Sequence, residues 1–178
     1  MPDRRPIKRA HEGACIDFFL RRHAAWYRSQ FMLLERPDPP DAIVRSGSVT
    51  RWIEIADVYW TDAWAKDLNS YATPEELHEP IDSGLYGGMD ETLALRFVKI
   101  LKSKIGKRTY KAFREKYGPG YLVLSIMSPF FDSRNSVDAM KHHWRSSGEV
   151  ENLGYFRGVF VICMARGWMG RWPIPSPN

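Results

Sequence analysis

Apolar positions recur along this chain with two different periods. From Glu12 to Leu34, Ile16, Phe19, Leu20, His23 and Tyr27 return every three or four residues, which predicts a helix. Prolines at 37, 39 and 40 end it. Asp41–Arg45 and Val49–Val58 are β-rich runs flanking Ser46-Gly47-Ser48, and they predict a hairpin with Gly47-Ser48 as a two-residue type II′ turn. A short helix is expected around Ala63–Tyr71, then a long loop marked by Pro74, Pro80 and Gly84–Gly88. Glu91–Lys116 reads as a second long, basic helix, ended by Gly118-Pro119-Gly120. Tyr121–Met127 and Val159–Met164 are unbroken apolar runs, hence buried strands. Between them Asp132–Arg145 predicts a third helix, with Asp132 or Ser133 as its N-cap. Helix, hairpin, helix, strand, helix, strand is the order of an α/β domain, with a mixed central sheet and helices on both faces. Residues 1–10 read as a flexible basic arm and 172–178 as an extended proline-rich tail of one domain over 1–178.

Composition narrows the function classes. At 178 residues the chain has the length of one domain, enough to bury a core without disulfide or zinc support. A net charge of +5 favours polyanionic partners, nucleic acid foremost. Cys15 and Cys163 each sit in an apolar stretch with no ligand-like neighbour, so they read as buried, reduced thiols of a cytoplasmic protein. The first thirteen residues lack the apolar segment of a signal peptide, and the longest apolar runs are too short to span a bilayer, so no membrane partner is expected. No phosphate loop, nucleophile elbow or dinucleotide glycine fingerprint is present. His142 and His143 are adjacent, so a helix points them apart, and neither is expected to bind metal. Trp60 and Trp64 are read as packing the following loop onto the sheet.

The informative residues are two carboxylates. A turn at Gly47-Ser48 sets Ser46 opposite Val49 and Arg45 opposite Thr50, and therefore Asp41 opposite Glu54. Facing side chains in such a ladder have β-carbons ~5 Å apart, and like charges there repel. Either one carboxyl keeps its proton or a cation sits between them. A divalent ion that prefers oxygen ligands, Mg²⁺ or Mn²⁺, is the simplest answer. The plainer alternative has Asp41 capping a turn after Pro40 while Glu54 faces solvent.

Pro40-Asp41, twelve intervening residues and then Glu54-Ile55-Ala56 resembles the signature of the PD-(D/E)xK nucleases. Glu12 near the start of the first helix resembles the helical glutamate of many members. The helix 91–116 followed by Tyr121–Ile126 resembles their next helix–strand unit. Phe160-Val161-Ile162, Trp168 and the proline-rich end resemble the closing strand of several small members. The resemblance implies a restriction-endonuclease-like fold and metal-dependent hydrolysis of DNA, or less readily RNA. Asp41 and Glu54 would hold Mg²⁺ with a backbone carbonyl at Ile55 or Ala56, and Glu12 would act through water. It also implies a nucleic-acid partner and a homodimer for cutting duplexes.

One departure stands out. Where the family carries a lysine two residues after the glutamate, this chain has Ala56. That lysine orients the attacking water and stabilises charge building on phosphorus. Some members move it to a neighbouring helix. Here Lys104 lies at the edge of the apolar face set by Ala94, Val98, Leu101, Ile105 and Ala112, so its stem can follow the core while its amine reaches a cleft. Lys107 lies nearer solvent and is the second choice, an order that Gly106 would reverse by disturbing the helix. Two alternatives follow from Ala56: a catalytically silent nuclease fold that binds nucleic acid or serves a structural role, and an unrelated interaction domain in which Asp41 and Glu54 lie far apart.

Overall fold

The computed structural model describes residues 5–73, 76–148 and 153–173. Its elements in chain order are α1 (Arg5–Tyr27), β1 (Met32–Glu35), β2 (Ala42–Ser46), β3 (Val49–Tyr59), α2 (Asp62–Ala72) and α3 (Met89–Ile105). There follow α4 (Lys111–Tyr117), β4 (Gly120–Met127), α5 (Asn135–Ser146), β5 (Phe156–Cys163) and β6 (Trp168–Trp172). The six strands form one mixed sheet in sequence order. β3, β4 and β5 run parallel, and the outer pairs β1–β2, β2–β3 and β5–β6 are antiparallel.

This topology fixes where the helices go. The two parallel crossovers, β3 to β4 and β4 to β5, step across the sheet in the same direction. A right-handed crossover can close in only one way, so both connections lie on one face. That face carries α3 and α5, whose Leu93, Phe97, Leu101, Met140 and Trp144 share a core with Trp52, Val58 and Leu124 of the sheet. The opposite face is left for α1, whose Cys15, Ile16 and Phe19 pack on Ile53, Val123 and Phe160. The expected α/β architecture with helices on both faces is therefore observed.

The hairpin has the expected register, with Ser46 opposite Val49 and Arg45 opposite Thr50. Gly47 takes a φ of 57°, a left-handed value that suits glycine in so tight a turn. Other boundaries differ from the expectation. α1 begins at Arg5, so residues 5–10 are helical and not an arm, while residues 1–4 lie outside the described residues. It also stops earlier than expected, at Tyr27, where Arg28 turns left-handed with φ 51°. The freed segment forms β1 at the sheet edge beside β2, where it pairs backbone groups the hairpin alone would leave open. β6, entered through Gly167 at φ 60°, is a strand not expected from the sequence, and it takes only Trp172 from the expected tail 172–178. The tail beyond residue 173 lies outside the described residues.

The predicted helix 91–116 is two helices. α3 opens with Asp90 and Glu91 in its first turn and closes with Lys102 and Lys104 in its last, charges that complement the helix dipole. Gly106 caps it, Lys107 is extended, and a 3₁₀ turn over Arg108–Tyr110 leads into α4. The break turns Tyr110 into the core, where its ring stacks on Trp52 at 5.4 Å. A single straight helix could not deliver that ring, so tertiary packing overrides local periodicity here. α5 starts three residues later than expected, yet Asp132 still serves its N-terminus by accepting from the N–H groups of Arg134 and Asn135.

Candidate active site

Glu54 sits in the middle of β3 and shares its face with Trp52, Ala56 and Val58, the face covered by α3. Extending the observed register by one pair beyond Ala42–Ile53 puts Asp41 opposite Glu54. Asp41 is the residue before β2, where the strand no longer supplies a backbone partner to β3. Its carboxylate does so instead: Oδ2 accepts the Ile55 N–H at 2.6 Å. Both carboxylates are buried, each 7% exposed.

Lys104 comes from the last turn of α3, and its Nζ lies 2.6 Å from Glu54 Oε1. Ala56, two residues on along the same strand face, lines one cleft together with Lys104. A small side chain at 56 leaves room for an amine arriving from the helix. Tyr110 donates its hydroxyl to the same Oε1 at 2.9 Å. Glu54 Oε2, by contrast, is buried with no hydrogen-bond partner among the described residues. A desolvated carboxylate oxygen without a partner is costly and is often served by an ion or ordered water.

Charge accumulates at this corner. Burial pushes the Asp41 carboxyl up to about 7; the Ile55 N–H opposes this, the negative charges of Glu54 and Glu12 add to it, and Lys104 opposes it. Burial also raises the Tyr110 hydroxyl, and the Glu54 charge beside it raises it further. Glu12 lies on α1, largely buried, with Lys8 at 3.4 Å and Arg36 at 3.6 Å from its carboxylate oxygens. Among the described residues, Glu12, Asp41 and Glu54 are not a trio whose oxygens all converge within 4.8 Å. Glu12 is thus an outer member, and a cation here would rest first on Asp41 and Glu54. Asp41 and Glu54 are the residues here that could hold one: Oε1 already takes Lys104 and Tyr110 and Asp41 Oδ2 takes the Ile55 N–H, which leaves the orphaned Oε2 and the other Asp41 oxygen.

Of the residues picked from the sequence, Asp41, Glu54 and Lys104 come together and Glu12 stands close enough to act on Asp41 electrostatically. Lys107 does not reach the carboxylates; its amine lies over the Tyr110 ring, 5.7 Å from the centroid. Gly106 ends the helix but leaves Lys104 ahead of Lys107. Trp60 is buried against Tyr86 and Phe130 and so packs the loop. His143 pairs with Glu91 at the surface. The basic run on 99–114 splits up: Lys102 turns to Trp144 and Arg114 to the Gly154 carbonyl. Lys99 and Lys104 instead join Arg96 along a cleft of about 520 Å³ that also borders Ala56, Ser103, Asp57 and Asp62, the last of which pairs with Arg96.

Two features escaped the sequence reading. Tyr110 as a partner of Glu54 depends on the helix break at Gly106, which periodicity does not reveal. The other is a cluster of His11, Cys15 and Asp57, whose ligand atoms lie within 4.8 Å of one another. It corrects the expectation that neither cysteine has a ligand-like neighbour. The His11–Cys15 spacing of four residues on a helix was the available signal.

Protein-family models, curated proteins and solved structures contain no match to this chain. No described helix is long and apolar enough to cross a membrane.

Proposed function

We propose that this chain is a metal-dependent phosphodiesterase with a restriction-endonuclease-like fold, acting on DNA in preference to RNA. The observation that carries the reading is the Lys104 amine 2.6 Å from Glu54, with Asp41 facing Glu54 across the hairpin. It supplies from α3 the lysine that Ala56 removes from β3. Asp41 and Glu54 would hold Mg²⁺ or Mn²⁺, which supplies Lewis acidity and makes bound water more acidic. Tyr110 fixes the Glu54 carboxylate through Oε1. Lys104 stands where its charge can offset the charge that builds on a phosphate undergoing attack. Lys99, on the wall of the cleft that Lys104 and Ala56 border, suits a flanking phosphate; Arg96 there is paired with Asp62. A second copy of the chain is the simplest source of the second site that duplex cutting needs. The free thiols of Cys15 and Cys163 suit a reducing, cytoplasmic setting.

One observation favours a second reading. Lys104 neutralises Glu54 internally, so the fold can persist without a metal and bind nucleic acid without cutting it. Incubating plasmid and single-stranded oligonucleotides with the protein and Mg²⁺ or Mn²⁺ separates the two. Metal-dependent cleavage, lost in Asp41→Asn and Glu54→Gln, is the expected result. Binding without cleavage under every metal would establish the silent fold instead. Cleavage undiminished in both variants would remove these carboxylates from the mechanism.

A further inference from the structure

The face of β3 opposite Glu54 carries Asp57, which points at α1. His11 and Cys15 lie one turn apart on α1 and present their side chains to the same side of the helix. His11 Nε2 is 2.8 Å from Asp57 Oδ1 and 3.5 Å from Cys15 Sγ, and the three ligand atoms lie within 4.8 Å of one another. We propose that His11, Cys15 and Asp57 form a metal site for a borderline-soft divalent cation, Zn²⁺ foremost. The site goes beyond the phosphodiesterase reading and does not depend on it.

Without a metal, hydrogen bonds hold this cluster. Two groups converge on one imidazole nitrogen, which has a single proton to give or a single lone pair to offer. That nitrogen can donate to Asp57 at 2.8 Å while the Cys15 thiol donates to Ser125 Oγ at 3.6 Å, an ordinary distance for sulfur. A cation between the three atoms would use a lone pair of each. The spacing suits one. Tetrahedral zinc bonds of roughly 2.05 Å to nitrogen and 2.3 Å to sulfur place those two atoms about 3.5 Å apart, the separation found between His11 and Cys15. A nitrogen and an oxygen on the same ion sit about 3.3 Å apart. Asp57 would therefore retreat by about 0.5 Å from its 2.8 Å contact, a small rotation of its carboxylate.

The surroundings agree. Cys15 is fully buried, while the His11 and Asp57 side chains are 22% and 24% exposed, so an ion can enter from their side. His11 also borders a mainly apolar cavity of about 350 Å³ lined by Trp64, Leu68, Ser125, Met127 and Met164. Three protein ligands leave a fourth position open, for water or a ligand donor atom reaching in from that cavity. The mixed nitrogen, sulfur and oxygen set differs from the all-oxygen pair at Asp41 and Glu54. Zn²⁺ or Co²⁺ therefore sorts to one face of β3 and Mg²⁺ to the other.

Co²⁺ is the probe. Titrated into the reduced full chain, it should give a thiolate-to-cobalt charge-transfer band that saturates at one equivalent and is displaced by Zn²⁺. Cys15→Ser should abolish the band, whereas Cys163→Ser and Asp41→Asn should keep it. Circular dichroism of the metal-free variants establishes that each is folded. Should Cys15→Ser fail to fold, Asp57→Asn keeps the thiol and should weaken Co²⁺ binding by roughly tenfold or more. No band at stoichiometric Co²⁺, a band that survives in folded Cys15→Ser, or unchanged affinity in Asp57→Asn would overturn the site.

Discussion

Replacing Lys104 with Met tests how the buried carboxylates are held in the absence of metal. The change leaves Glu54 with the Tyr110 hydroxyl on Oε1, no partner on Oε2 among the described residues, and Asp41 across the hairpin. Removing one member of a buried ion pair costs about 3–5 kcal/mol when both charges are shut off from water. The Glu54 side chain is 9% exposed but that of Lys104 is 23% exposed, so solvent already screens part of the pair. The expected loss is about 2–3 kcal/mol. Urea unfolding in EDTA at pH 8 reads it as a lower midpoint at unchanged slope. The penalty comes from a stranded charge, so it should nearly vanish in the Glu54→Gln background, giving a coupling energy of about 2 kcal/mol. Mg²⁺ at a hundredfold excess over its Kd should return about 2.7 kcal/mol to the single variant. A loss below about 0.5 kcal/mol, or equal losses with and without Glu54→Gln, would mean that Lys104 does not hold the Glu54 charge.

Further outcomes follow from the same geometry. Tyr110→Phe removes one of the two donors to Glu54 Oε1 and should cost about 1–2 kcal/mol in thermal or urea unfolding. Asp41 has its pKa raised from 3.8 to about 7, so its native form binds a proton more tightly than the unfolded chain does. Metal-free stability is then fullest below pH 4 as far as this group is concerned and falls as pH rises to 7, by at most about 4 kcal/mol. Unfolding in EDTA across that range should show a steeper fall for wild type than for Asp41→Asn. Gly120 lies against the Trp52 indole, where a β-carbon would sit 2.3 Å from Cδ2 and Cε2. Gly120→Ala should therefore destabilise by about 1–3 kcal/mol, read as a lowered Tm.

The fold was legible where a single period governs a segment. The hairpin register followed from Gly47-Ser48, because the turn and the apolar alternation of β2 and β3 agree on one pairing. The unbroken runs that become β4 and β5 showed their burial on both faces. The edges were hidden. β1 has all four residues exposed, so it carries no burial pattern and reads as a continuation of the preceding helix. β6 is short, with Gly167 before it, Gly170 within it and Pro173 after it, a run that resembles a loop as readily as a strand.

The candidate site divides along the same line. The facing of Asp41 and Glu54 is a local property of one hairpin and was readable. The approach of Lys104 follows from its place at the edge of the α3 apolar face, also a local property. Tyr110 reaches Glu54 only because the chain breaks after Gly106 and folds its ring onto Trp52, a tertiary event. Asp57 meets His11 and Cys15 across 46 and 42 residues of sequence, and only the packing of α1 on β3 brings them together.

Whether Asp41 and Glu54 share a divalent cation is read by a calorimetric titration of Mg²⁺ into wild type and Asp41→Ala. One equivalent bound by wild type, with binding lost in the variant and retained in Cys15→Ser, is the predicted result. Binding that Asp41→Ala leaves unchanged, or no binding by wild type, would contradict it.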